Sequence, residues 1–233
     1  MGLLSCIGDT LERALSALSP ASPIDLIVGY REGAVEEALA SLHPFSDLLH
    51  AYRQIPYLAI RCESGDARWL MEGARLAAAG RGHRGLAVRS VDLSHEMMTY
   101  ARREHADSSS SQLWNLSRIG APAAWMHATG EGVSVAVIDT GIDYTHQDLS
   151  ARFGEVLGIN IPFPDSPPFD DNGHGTHVAG TVAGSETGVA PGATLYAVKV
   201  LDAGGSGSEA DVIAGLEWAL EQGADIANLS LGS

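Results

Sequence analysis

Four short apolar runs, Val133 to Ile138, Val156 to Ile159, Leu195 to Leu201 and Ile226 to Leu231, constrain this 233-residue chain more than any other feature. They are nearly continuous, without the polar alternation of a strand wetted on one face. Such runs fit strands buried on both faces, as in a parallel sheet sandwiched between helices. One intervening helix is legible in detail. Ser208 and Asp211 form a capping-box-like start, Val212, Leu216, Ala219 and Leu220 give a buried stripe, and Gly223 ends it. Residues 113–233 are therefore expected to form an α/β unit.

The first hundred residues follow another plan. Leu11, Ala14, Leu15 and Leu18 recur at helical spacing before Pro20 and Pro23, which predicts a leader helix within residues 1–21. An apolar run from Ile24 to Tyr30 leads to a helical stripe of Val35, Leu39 and Leu42. Alternation from Leu48 to Cys62 then passes a Gly65-Asp66 turn into a helix over Ala67 to Ala79. Gly80, Gly82 and Gly85 break that helix, and Leu86 to Leu93 alternates as a last half-buried strand. The order β-α-β-β-α-β is that of a ferredoxin-like α+β domain, placed at 22–100. Residues 101–112 are polar and aperiodic and read as a linker.

Charge narrows the partners. The net charge of −15 leaves no clustered cations to neutralise phosphates, so neither a nucleic acid nor an anionic membrane surface is expected. All but one of the 14 basic residues are arginine, the exception being Lys199, a bias that a high-salt habitat or a GC-rich genome would each produce. No apolar stretch approaches the ~20 residues of a membrane helix. Met1 to Cys6 has no basic region of a secretory signal, so the expectation is a protein that works inside the cell or one whose export signal lies outside this sequence. Cys6 and Cys62 match neither a disulfide framework nor a zinc pattern.

Two segments carry chemistry. Asp139 closes the run Val135-Ala136-Val137-Ile138 and precedes Thr140-Gly141, at the strand edge where open α/β sheets collect functional groups. A lone Asp-Thr-Gly can equally cap a turn. His174 opens a helix in Asp171-Asn172-Gly173-His174-Gly175-Thr176-His177, with His177 one turn along the same face. Gly175 and Gly180 permit close backbone approach. Asp139, His174 and His177 could also form a metal site. Gly204 to Gly207 lacks the lysine and spacing of a phosphate loop.

Val137 to Ile142 and His174 to Gly180 resemble the aspartate and histidine motifs of the subtilases, the subtilisin-like serine proteases. Ala197 to Asp202 with Gly205, Ser206 and Gly207 is similar to the family's substrate-pairing strand, and Asn228 to Gly232 to the wall of its primary specificity pocket. Leu113 to Ile119 and Ala121 to Trp125 resemble the start of the mature domain.

The resemblance implies a serine endopeptidase in which Asp139 and His174 are the charge-relay pair, acting on protein or peptide substrates. Gly205, Ser206 and Gly207 with Ser230, Leu231 and Gly232 would bind substrate. It implies that 113–233 is the amino-terminal, incomplete part of a parallel-sheet subtilisin-like domain. Residues 22–100 would be its own propeptide, an inhibitor and folding chaperone cut between Tyr100 and Ala101, which suggests a primary pocket for large apolar residues. The family's nucleophilic serine and oxyanion asparagine match nothing in these residues, so the 233 residues alone are expected not to hydrolyse peptides. Ile226 to Leu231 would then form an exposed apolar edge. The alternative is a non-catalytic, propeptide-like inhibitor or chaperone of another protease. The family is usually extracellular. No cofactor is expected. Asp148 matches a calcium ligand of the family, but the loop Gly184 to Gly188 is short and the site is expected to be absent. Asp165, Asp170 and Asp171 could hold a cation elsewhere, a solvated acidic loop being the preferred reading.

Overall fold

The computed structural model describes residues 4–78, 87–99 and 114–232. The chain divides into two compact units, Met1–His95 and Glu96–Ser233. Tyr100 and Ala101, the linker 101–112, Leu86 and the glycines at 80, 82 and 85 lie outside the described residues.

The first unit comprises α1 (Leu4–Ala17), β1 (Pro23–Tyr30), α2 (Val35–Leu42), β2 (Ser46–Ala51), β3 (Tyr57–Glu63), α3 (Ser64–Ala78) and β4 (Val88–Leu93). Its sheet has the order β2-β3-β1-β4 with every pair antiparallel. Alternation along the strands sends Leu26, Val28, Leu58 and Ile60 to one core, where Ala38 and Leu42 of α2 and Ala67 and Leu70 of α3 meet them. Leu11 and Leu15, one turn apart on α1, join the same core, so the helix read as a leader shares it. The Gly65-Asp66 turn is instead the first turn of α3, where a carboxylate is favoured by the helix dipole.

The second unit comprises β5 (Glu96–Thr99), α4 (Trp114–Ile119), α5 (Ala121–Ala124), β6 (Ser134–Asp139), β7 (Gly158–Asn160), α6 (His174–Ala183), β8 (Thr194–Lys199), β9 (Ser206–Ser208), α7 (Glu209–Glu221), β10 (Ile226–Leu229) and β11 (Leu231–Gly232). Its main sheet is parallel, with the order β10-β6-β8-β7. The unbroken apolar runs now have their reason. Val135 and Val137 of β6 pack with Ala179 and Ala183 of α6, whereas Ala136 and Ile138 pack with Val212 and Ala219 of α7 on the other face. A second, antiparallel sheet has the order β11-β5-β9. No helix among the described residues is long and apolar enough to cross a membrane.

Two sequence expectations shift here. The strand expected at 156–159 is β7 at 158–160, with Val156 and Leu157 exposed before it. The buried stripe of α7 is Val212, Gly215 and Ala219, while Leu216 is exposed and Leu220 is 61% exposed. Close approach decides this: a Cβ on Gly215 would sit 2.7 Å from Val200 Cγ1, so only small side chains fit beneath the helix. The cap itself is as read, with Ser208 Oγ accepting from Asp211 N at 3.0 Å.

Candidate active site

Asp139 is fully buried at the carboxyl end of β6, its carbonyl oxygen accepting from Val200 N at 2.9 Å and Leu201 N at 3.2 Å. The chain turns sharply after it. Helix α6 starts directly above this turn, with Gly173 as its N-cap and His174 as its first residue. Gly175 makes the approach possible, since a Cβ there would collide with the Gly141 carbonyl oxygen. The result is a contact of 2.8 Å between His174 Nδ1 and Asp139 Oδ1.

The carboxylate is held and dehydrated at once. Thr140 N donates to Asp139 Oδ1 at 2.7 Å, while Oδ2 is buried with no hydrogen-bond partner among the described residues. Burial pushes the Asp139 carboxyl above its ordinary value, and the hydrogen bonds from His174 and Thr140 oppose that rise. With Nδ1 turned to the carboxylate, Nε2 is the nitrogen left for chemistry.

The entrance to α6 is organised by Asp170, which is 7% exposed and so no part of a solvated loop. Its Oδ1 accepts from Thr140 Oγ1 (2.8 Å), Asn172 N (3.0 Å) and Gly173 N (2.9 Å), and its Oδ2 from Thr176 N (2.9 Å) and Thr176 Oγ1 (2.5 Å). Burial raises this carboxyl, but the donors outweigh it and hold the group below its ordinary value. Thr140 Oγ1 also accepts from Gly175 N at 2.9 Å, so one hydroxyl joins the aspartate turn to the histidine helix. Sequence reasoning missed this role because Asp170 stands among other acids; its place four residues before a helix-opening histidine was the available signal.

Strand β5 lies between β9 and β11. Met97 is opposite Gly207 and Met98 opposite Ser206, while Thr99 faces Leu231 and Met98 faces Gly232. Thr99 N donates to Gly205 O at 3.0 Å, and Gly205 adopts φ +81°, where a side chain would be strained and would crowd Thr99. Met97 packs on the core shared by Ile138, Val212 and Leu231. All six expected substrate-binding positions thus flank one extended strand or adjoin it, with Ser230 Oγ bonded to Asn228 Oδ1 at 3.0 Å. A cleft of about 550 Å³ opens beside them, lined by His174, His177, Val178, Leu229, Ser230 and Leu231 among others.

His177 is exposed, and among the described residues it does not converge with Asp139 and His174 into a set of metal ligands. Asp148 is turned inward: Oδ1 accepts from Glu186 N and Oδ2 from Thr187 Oγ1, each at 2.7 Å. Burial raises its carboxyl, and the Thr187 and Glu186 donors more than reverse that. Each oxygen thereby holds one donor of the short 184–188 loop.

The subtilase family model matches residues 130–233. The chain is 42% identical over 194 residues to an alkaline protease of Alkalihalobacillus alcalophilus, covering 80% of this chain and 44% of that protein. It is 54% identical over 127 residues to subtilisin Savinase of Lederbergia lenta, covering 52% of this chain and 45% of that one. Fervidolysin from Fervidobacterium pennivorans, a keratinolytic enzyme related to subtilisin, superposes with a TM-score of 0.65 at 25% identity, over 91% of this chain and 36% of that one. The chain thus spans less than half the length of each of these proteins. A parallel sheet bearing a buried aspartate bonded to a helix-opening histidine, with these sequence matches around it, shows that the chain belongs to the subtilase family through residues 130–233.

Proposed function

We propose that the complete protein is a subtilisin-type serine endopeptidase, and that Asp139 and His174 are its charge-relay pair. The observation carrying this reading is the 2.8 Å contact between His174 Nδ1 and the dehydrated carboxylate of Asp139. A serine hydroxyl is a poor nucleophile near neutral pH, so a base must take its proton as it attacks the peptide carbonyl. His174 Nε2 takes that proton and later returns it to the leaving amine, while Asp139 fixes the tautomer and stabilises the imidazolium. Among the described residues no serine hydroxyl is hydrogen-bonded to His174, and these 233 residues alone are expected to be inactive.

Glu96 to Thr99 supports the reading of residues 22–100 as an inhibitory propeptide. The segment adds an antiparallel strand between β9 and β11, as an extended substrate would, with main-chain bonds supplying affinity and alternate side chains specificity. Substrates are accordingly polypeptides bound in extended form, and the cut falls between Tyr100 and Ala101. No calcium is held at Asp148.

The test is hydrolysis of a chromogenic peptide by the full-length protein. Asp139→Asn should lower kcat by about 10⁴-fold through the wrong histidine tautomer. Activity unchanged by that substitution would overturn the reading, as would amino-terminal sequencing that finds the mature start far from Ala101.

A further inference from the structure

The chain's only lysine is one of its most deeply placed charges. Lys199 ends β8 directly opposite Asp139 on β6, and its side chain is 7% exposed. An ammonium is dehydrated at a cost, which its partners must offset. Nζ donates to the Thr140 carbonyl oxygen at 2.7 Å and to Asp171 Oδ1 at 2.7 Å. Thr140 is the residue whose N–H holds the Asp139 carboxylate, and Asp171 stands three residues before His174. One cation therefore reaches both segments that carry the pair.

Residue choice points the same way. Every other basic residue of this chain is arginine, yet this position carries a lysine. A compact ammonium can direct donors at a carbonyl and a carboxylate on different segments, whereas a planar guanidinium fork suits two oxygens of one group. The surroundings also need a cation. Asp139, Asp170 and Asp171 all lie on the two segments that meet here, and the Thr140 carbonyl adds a fourth acceptor.

We propose that Lys199 is the positioning residue of the Asp139–His174 pair: its buried ammonium ties the turn after the carboxylate to the loop before the imidazole and so fixes the contact between them. This rests on reading the two as the catalytic pair. Lys199 touches no substrate and takes no proton. It acts through Thr140 and Asp171.

The test uses the 233-residue chain labelled with ¹⁵N-histidine and observed by NMR. A downfield Nδ1–H resonance of His174, from the proton held toward Asp139 Oδ1, is expected in the unsubstituted chain. In Lys199→Met, which loses both charge-assisted hydrogen bonds of the ammonium, that proton should exchange with water at least about tenfold faster, while circular dichroism stays unchanged. Asp171→Asn keeps the Thr140 contact and should give a smaller increase. Exchange in Lys199→Met equal to that of the unsubstituted chain overturns the proposal. Absence of the downfield resonance from the unsubstituted chain overturns instead the pair on which it rests. Where Lys199→Met does not fold, ¹⁵N-lysine labelling of the unsubstituted chain decides, since it gives a single ammonium signal. Slow exchange with cross-peaks to Thr140 supports the tie, and exchange as fast as that of free lysine overturns it.

Discussion

The first unit buries hydrocarbon, and the second buries charge. Among the described residues of the first, Ser64 is the buried polar side chain, and the ion pairs Arg31–Glu37, Arg61–Asp25 and Arg75–Glu12 each include a half-exposed guanidinium. In the second, Asp139, Thr140, Asn160, Asp170 and Lys199 are all buried, and four of them lie around one turn and one helix start. Apolar burial is non-directional and stabilises whatever shape packs well. Buried polar groups cost free energy unless every partner is in place, and they therefore fix geometry. The contrast separates a unit built to be stable from one whose stability is partly spent on holding a site.

The largest effect expected is in the apolar unit. Leu58 is fully buried in β3, and Leu58→Ala should cost about 2–5 kcal/mol in lost transfer energy and cavity, read from amide exchange of β1 and β3. Next comes Asp170→Asn in the polar unit. The amide would present donors toward Thr176 N or Gly173 N, leaving N–H groups unpaired at about 1–3 kcal/mol, read from urea unfolding followed at β6 and α6. Equal losses at Leu58 and at an exposed pair, or none at Asp170, would break the contrast.

Titration sharpens it. The Asp170 carboxyl is held below its ordinary 3.8, so its stabilisation is fully present above that value and is lost as the pH falls toward the folded one. Asp139 runs the other way. Its carboxyl is raised by burial, so what it contributes is present below 3.8 and is lost as pH rises through the folded value. Thermal melts between pH 3 and 7 should therefore show Asp170→Asn flattening the acid loss, and Asp139→Asn should not. Below these in size stands Arg31→Ala. The pair it breaks is exposed on both sides, and a loss under about 1 kcal/mol is expected in the same melts at neutral pH.

How far the sequence carries depends on the range of the interaction. Asp139 and His174 were legible because each ends or begins an element whose period is written locally, and both fall where a parallel sheet gathers functional groups. Lys199 was visible only as an oddity of composition. Its partners lie 59 and 28 positions away; the register of β6 with β8 brings Thr140 within reach, and the loop before α6 brings Asp171. The stripe of α7 was half legible for a similar reason. Val212 and Ala219 are buried as read, but Leu216 and Leu220 are not, because the short distance from Gly215 to Val200 leaves room only for small side chains there. Asp170 looked solvated because acids usually are, and five donors from residues 140–176 reverse that default.

Asp148 extends the comparison to a carboxylate that could have gone either way, and it gives the smallest effect. A calcium ion needs 6–8 oxygen ligands, and carboxylates gathered to supply them repel one another when the ion is removed. Here the loop 184–188 is expected to close without such an ion, since Glu186 N and Thr187 Oγ1 engage the two oxygens, with Gly180 O 3.0 Å from Thr187 Oγ1 as a second acceptor for the same hydroxyl proton. Chelation should leave the melting temperature unchanged, and added calcium should not raise it. A rise with calcium that Asp148→Asn abolishes would show that those internal donors yield to a cation, and would move this loop from the self-sufficient side of the contrast to the side that depends on a ligand.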